Sequence, residues 1–164
     1  MPTNAIGREV EEIISLLASG GQSLSTAESL TGGGLGAMIT SVPGASKIYL
    51  GGVIAYNANV KENLLGVRRS DIEEFGVVSQ EVAMAMAQGA RKKFSSTWAI
   101  ATTGVAGPGA SAGIAPGTVW IAMCGPVVSS TFLELDGERQ SVQNATIASA
   151  ISAFARILRA SSRA

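Results

Sequence analysis

Thr26-Ala27-Glu28-Ser29-Leu30-Thr31-Gly32-Gly33-Gly34 is the stretch that decides how this chain is read. The run Ser23 to Ala27 before it is apolar and hydroxyl-rich. After it, Leu35, Met38, Ile39 and Val42 recur at helical spacing. The stretch is therefore a turn from a strand (22–27) into a helix that runs to about Thr40, where Pro43-Gly44 breaks it. Its three glycines let a ligand come close to the backbone. Free N–H groups at a helix start, with the positive end of the dipole, favour an anion. A serine placed there has its alkoxide, or a neighbouring phosphate, stabilised. The same residues also make an ordinary cap and turn, so the rest of the chain has to choose between the two.

Working outward, Val10, Ile13, Ile14 and Leu17 predict an amphipathic helix over 5–19, stopped by Gly20-Gly21. Residues 48–56 form an apolar run consistent with a buried strand. Its Gly51-Gly52 pair is either a bulge or a close approach to a ligand. Asn59 is placed to cap a short helix bearing Lys61, Leu64 and Leu65, and Ser70 to cap a turn of helix ending at Gly76. Ser79 starts a longer helix with Val82, Met86, Ala90 and Phe94 on its apolar face. Arg91-Lys92-Lys93 complement the dipole in its last turn. Trp98 to Thr103 is a strand leading into the glycine-rich loop Gly104-Val105-Ala106-Gly107-Pro108-Gly109. Thr118 to Cys124 and Val127 to Leu135 make a hairpin around Gly125-Pro126. A helix from about Glu138 to Ala160 closes the chain. Strands and helices alternate first and a hairpin comes late, which predicts one α/β domain over 1–164, a three-layer α/β/α sandwich with a mixed sheet. The loops 28–34 and 103–109 both leave strands, and such loops gather at one end of an open sheet to form the ligand site.

The inventory excludes much. The chain has 164 residues, 46% hydrophobic and 15% charged, with a formal net charge of zero. That balance argues against a nucleic-acid surface, which needs clustered excess base. No run of about 18 apolar residues predicts a membrane span, and no signal-peptide pattern opens the chain. The single cysteine, Cys124, excludes an internal disulfide and fits a reducing cytoplasm. No histidine is present, which removes every Ser-His-Asp triad, Cys-His pair and His-ligated metal site. With only Asp71 and Asp136 as aspartates, a carboxylate metal cage is not expected, and the reading calls for no cofactor. A nucleophilic amidase or esterase built on this chain must take its base from Lys, Glu, Asp or Tyr. Only four lysines are available: Lys47, Lys61, Lys92 and Lys93.

Taken together, the motifs resemble the C-terminal domain family of the competence/damage-inducible protein CinA, over about residues 7 to 158. The segments that carry the resemblance are Thr-Ala-Glu-Ser-x-Thr-Gly-Gly at 26–33, Pro-Gly-x-Ser at 43–46 and Gly-Gly-Val-x-x-Tyr at 51–56. They continue with Lys61, Leu-Leu-Gly-Val at 64–67, Val-Ser-x-Glu at 78–81, Thr-Gly-x-Ala-Gly-Pro at 103–108 and Pro-Gly-Thr-Val at 116–119. The order and spacing are specific where no single segment is. The resemblance implies an α/β/α fold and hydrolysis of nicotinamide mononucleotide to nicotinate mononucleotide and ammonia. It implies a serine nucleophile with a lysine base, which by position are Ser29 and Lys61. Tyr56, Ser46 and the loop residues Thr103, Gly104, Ala106 and Gly107 fall near the family's site, and a homo-oligomer is implied as well.

The chemistry is coherent with the inventory. Lys61, made neutral by burial, takes the proton of Ser29, which attacks the carboxamide. Backbone N–H groups of a glycine turn hold the oxyanion. The proton passes to the departing ammonia, and water cleaves the acyl-enzyme. Tyr56 is placed to orient Lys61 or relay a proton. For the 5′-phosphate the choices are Thr31 with the N–H groups of Gly32 and Gly33, and Arg139, whose guanidinium suits phosphate. Which glycine turn serves which anion is open. Four features depart from the family pattern: Leu30 replaces a common cysteine, Gln143 stands where a second arginine is usual, the loop 109–116 lacks a lysine, and a separate N-terminal domain is absent, so a stand-alone form is expected. The alternatives are a non-catalytic nucleotide- or phosphate-binding module, and a Ser-Lys amidase for another small amide.

Overall fold

A computed structural model of the chain describes residues 4–164. α1 (Ala5–Ser19) is capped by Asn4, whose side chain accepts from the Gly7 N–H at 2.9 Å, and it buries Val10, Ile13, Ile14 and Leu17 as its spacing predicts. β1 (Leu24–Glu28) follows and is buried at every position. A strand covered on both faces need not alternate, and β1 lies in the middle of the sheet. α2 (Gly34–Thr40) and a single 3-10 turn (Ala45–Lys47) lead to β2 (Tyr49–Ile54). α3 (Ala58–Leu65), α4 (Arg69–Phe75) and α5 (Gln80–Phe94) then precede β3 (Trp98–Gly104). The hairpin β4 (Thr118–Cys124) and β5 (Ser129–Glu134) and the long α6 (Arg139–Ser162) complete the fold.

The strand order is β2-β1-β3-β4-β5. β1 is parallel to β2 and β3, and β4 is antiparallel to β3 and β5, so the sheet is mixed as expected. One apolar core lies between the sheet and α1, α2 and α6, and includes Trp98 and Phe154 in an edge-to-face pair at 5.4 Å. A second lies under α5 and the end of α3, built from Val53, Leu65, Val82, Met86 and a run of alanines. Each fully buried aliphatic side chain in these layers contributes roughly 1.5–3 kcal/mol.

The layers also position the site. The chain leaves β1 toward β2, then crosses back over β1 to reach β3. The C-terminal ends of β1 and β3 therefore flank a topological switch point, where a crevice opens between diverging connections.

Three local expectations are corrected. Asn57, not Asn59, caps α3: it is extended (φ −109°, ψ 149°) and its side chain accepts from the Asn59 N–H at 2.8 Å. Ser70 lies inside α4, which has Arg68 at its cap position. Gly51-Gly52 marks a bulge, with the register against β1 shifting between Leu24 and Ser25. A side chain at 52 would fall 2.2 Å from Thr26 Oγ1, next to the Thr26–Tyr49 hydrogen bond of 2.7 Å. That glycine makes room for protein atoms, not for a ligand.

Candidate active site

Ser29 is the first residue after β1. Its N–H donates to Thr102 O at 3.0 Å, which extends the β1–β3 pairing and fixes the serine at the sheet's end. Lys61 is the fourth residue of α3. Helical side chains lean toward the helix N-terminus, so Lys61 reaches back over the first turn. Its Nζ donates to Ala55 O at 2.7 Å and to Ser29 Oγ at 2.8 Å. Lys61 is only 2% exposed, and burial pulls its pKa from 10.5 down to about 8. The ammonium has no carboxylate partner to offset that desolvation. Ser29 and Lys61 open onto a cavity of about 420 Å³.

The cavity gathers several of the expected residues. Tyr56, Thr103, Gly104, Ala106, Gly107 and Arg139 all line it. Arg139, the first residue of α6, donates from NH1 to Gly107 O and from NH2 to Tyr56 Oη, both at 2.7 Å. That clasp joins the glycine loop, the β2–α3 connection and α6 at the cavity. It also changes the place given to Tyr56: its hydroxyl meets Arg139, while the two partners of Lys61 are Ser29 and Ala55. Thr103 Oγ1 donates to Val77 O at 2.8 Å, so its proton is engaged in holding β3 to the segment before α5.

Other expected residues lie elsewhere. Thr31, Gly32 and Gly33 are not part of the cavity lining. Glu28 fills the anion cradle expected at the start of α2. Its Oε1 accepts from the Leu35 N–H at 2.8 Å and from Thr31 Oγ1 at 2.7 Å, and its Oε2 accepts from the Gly36 N–H at 3.0 Å. A buried carboxylate on the positive end of the helix occupies the place read as a phosphate or oxyanion seat. The Gly32 N–H turns back to Ser29 O at 3.1 Å. Ser46 sits in the 3-10 turn before β2 and lines a separate groove with Thr40 and Tyr49. Because β2 runs parallel to β1, a residue preceding β2 belongs to the sheet end opposite Ser29.

Sequence reasoning missed Glu28 as the anchor of the serine turn, although an acid just ahead of a helix start is a recognisable signal. It missed Ala55, whose contribution is a backbone carbonyl and has no sequence signature. It also missed Gly89 in α5, where an added Cβ would fall 1.9 Å from Leu65 O. That contact lets the end of α3 lie directly on α5. Gln143 is not among the cavity residues: its Nε2 donates to Leu30 O at 2.9 Å and ties α6 to the serine turn.

This arrangement can be set beside known proteins. Residues 8–158 match the family described as CinA C-terminal domain. The chain belongs to that family. A CinA-like protein of Parasynechococcus marenigrum is 44% identical over 154 residues, which are 92% of this chain and 37% of that protein. A putative competence-damage inducible protein of Desulforamulus reducens is 39% identical over 145 residues, 87% of this chain and 35% of the other. The chain thus spans little more than a third of the length of these curated relatives. Among solved structures, the competence/damage inducible protein CihA from Agrobacterium tumefaciens superposes with a TM-score of 0.90 at 31% identity, over 97% of this chain and 98% of that one. A competence or damage-inducible protein from Enterobacter asburiae reaches 0.92 at 28% identity, over 95% and 99% of the two chains. The mixed α/β fold is that of the CinA family structures. Among the described residues, no helix is long and apolar enough to cross a membrane.

Proposed function

We propose that this CinA-family chain hydrolyses the carboxamide of nicotinamide mononucleotide through a Ser29 acyl-enzyme, with Lys61 as general base. The observation that carries the reading is the 2.8 Å contact between Lys61 Nζ and Ser29 Oγ, made by a buried lysine whose pKa is pulled to about 8. That distance is within reach for proton transfer, and a pKa near working pH leaves a usable fraction of neutral amine. Neutral Lys61 takes the Ser29 proton as Oγ adds to the carboxamide carbon. Leu30 and Ala106 line the same cavity, and their N–H groups have no hydrogen-bond partner among the described residues; they are donors available to the oxyanion. Lys61 then passes the proton to the leaving nitrogen, ammonia departs, and water cleaves the ester with Lys61 again as base.

Arg139 brings the only positive side chain other than Lys61 to the cavity lining. Two of its five N–H groups are engaged with Gly107 and Tyr56, and the others are available to a 5′-phosphate. With the α2 start occupied by Glu28, Arg139 is the phosphate partner this reading retains, and the glycine loop 104–107 is the turn assigned to the substrate. The buried free thiol of Cys124 is compatible with a cytoplasmic setting.

The test is ammonia release from nicotinamide mononucleotide by the chain and by its Ser29→Ala variant. The expected result is turnover by the first and none by the second. Equal release from both excludes the Ser29 mechanism. Release from simpler amides but not from the mononucleotide assigns the dyad to another small amide.

A further inference from the structure

The sheet has two edges, and they differ. At β2 the register breaks between Leu24 and Ser25, leaving Leu50 as an extra residue ahead of Gly51 at φ 144°. Such a bulge is one of the devices that keep an edge from pairing with another chain. β5 has no such device. It pairs with β4 in unbroken register from Thr118↔Glu134 to Met123↔Ser129. Its six residues, Ser129–Glu134, include no proline and no lysine. No strand lies beyond it among the described residues. Exposed Val127 and Val128 precede it, and Phe132 within it is 45% exposed.

The backbone direction can be worked out. The Leu135 N–H points inward, donating to Gly117 O at 2.8 Å. In an antiparallel ladder, inward and outward residues alternate. The N–H and C=O groups of Ser130, Phe132 and Glu134 therefore face the open edge. These three also share one face of the sheet, the face on which Trp120 packs against Phe132 with centroids 5.1 Å apart.

We propose that β5 pairs antiparallel with β5 of a second copy of this chain, about a two-fold axis at Phe132, joining the two sheets into one. This proposal is independent of the catalytic reading. The register follows from complementarity. An axis at Phe132 sets that ring opposite the partner's Phe132 and sets Ser130 opposite the partner's Glu134, twice by symmetry. Ser130 Oγ already accepts from Gln80 Nε2 at 2.7 Å, so its own proton is free for the partner's carboxylate. An axis one residue earlier, at Thr131, sets Glu134 opposite the partner's Val128, pressing a carboxylate on an apolar side chain with no donor. On the other face, Ala148, Ser149, Ser152 and Arg156 of α6 border a groove of about 420 Å³ beside Thr131 and Leu133. The small residues there let the two α6 helices approach over the joined strands.

Sedimentation equilibrium of the full chain is expected to give twice the monomer mass. Phe132→Glu sets two carboxylates against each other, and the mass should fall to that of the monomer with an unchanged far-ultraviolet circular dichroism spectrum. Phe132→Cys should cross-link to a covalent dimer when oxidised with diamide. Opposed residues of a bonded antiparallel pair have Cα atoms about 5.5 Å apart, inside the roughly 4.4–6.8 Å range of disulfides. Ser130→Cys, which faces the partner's Glu134, should not cross-link. A wild-type chain that stays monomeric at all concentrations overturns the proposal, as does a dimer that persists in Phe132→Glu. If Phe132→Glu does not fold, the Phe132→Cys variant decides, and absence of its cross-link overturns the proposal.

Discussion

Replacing Lys61 with methionine tests the electrostatic core of the site without any substrate. Methionine keeps an unbranched chain of similar length but carries no charge. In the folded protein burial lowers the Lys61 pKa from 10.5 to about 8. The unfolded chain therefore binds more protons than the folded one between pH 8 and 10.5, and stability rises with pH across that window. The cost of burying the charge is fully present below pH 8. A displacement of about 2.5 units at 1.36 kcal/mol per unit makes it about 3 kcal/mol at pH 7. By pH 10 the folded amine is neutral and the remaining cost is about 1 kcal/mol. The methionine variant has no such titration.

The variant also loses two hydrogen bonds and leaves Ala55 O and Ser29 Oγ without their donor. Each orphaned group costs roughly 1–3 kcal/mol. That offset does not change with pH, so the slope is diagnostic where the absolute difference is not. Tyr49, whose pKa burial raises above 10, titrates alike in both proteins and cancels. Urea unfolding of both proteins at pH 7, 8, 9 and 10 should show the wild type gaining about 2 kcal/mol or more on the variant over that range. Two curves that run parallel would refute the claim that Lys61 is held as a desolvated, titratable amine, and with it the assignment of the base.

If the lysine must be neutral to act, kcat/KM for ammonia release should rise with pH and level off above about 8; a profile flat from pH 6 to 9 removes Lys61 as the base. Arg139→Ala, which also frees Tyr56 Oη and Gly107 O, should raise KM for nicotinamide mononucleotide at least tenfold, about 1.4 kcal/mol, and raise it far less for the dephosphorylated riboside. Equal effects on the two substrates would take Arg139 out of the phosphate role. Gly89→Ala should lower stability by about 1–3 kcal/mol through overpacking and lower kcat, because a Cβ 1.9 Å from Leu65 O must push α3, which carries Lys61. Wild-type urea midpoints and turnover in that variant would show that the α3–α5 contact is not what sets the lysine.

What the sequence revealed and what it hid have different physical origins. Hydrophobic spacing located α1, α5 and α6, because an amphipathic helix must repeat its buried face along the chain. Strand and helix alternation gave the layers, since parallel strands need crossovers. The serine turn was legible as a turn, and its glycines do take left-handed conformations, with φ 58° at Gly32 and 98° at Gly33. Their ligand was not legible. An open helix start and one already filled by a carboxylate from the preceding strand differ only in where one side chain points. Glu28 settles that through three hydrogen bonds that no spacing rule anticipates. The same limit applies to Tyr56 and Ser46. Both stand in motifs at family spacing, yet Tyr56 meets Arg139 from 83 residues away, and Ser46 lies at the sheet's far end. Periodicity reports burial, and burial is local to an element. A catalytic pair such as Ser29 and Lys61, 32 residues apart, depends on how α3 lies against the sheet. That is set by a cap at Asn57 and a missing side chain at Gly89. Both are single-residue features whose meaning appears only when the partner element is in place. The chemistry of this site therefore rests on α3 as much as on the glycine-rich turn, and substitutions at Asn57 or Gly89 should move the Lys61–Ser29 distance without touching either residue.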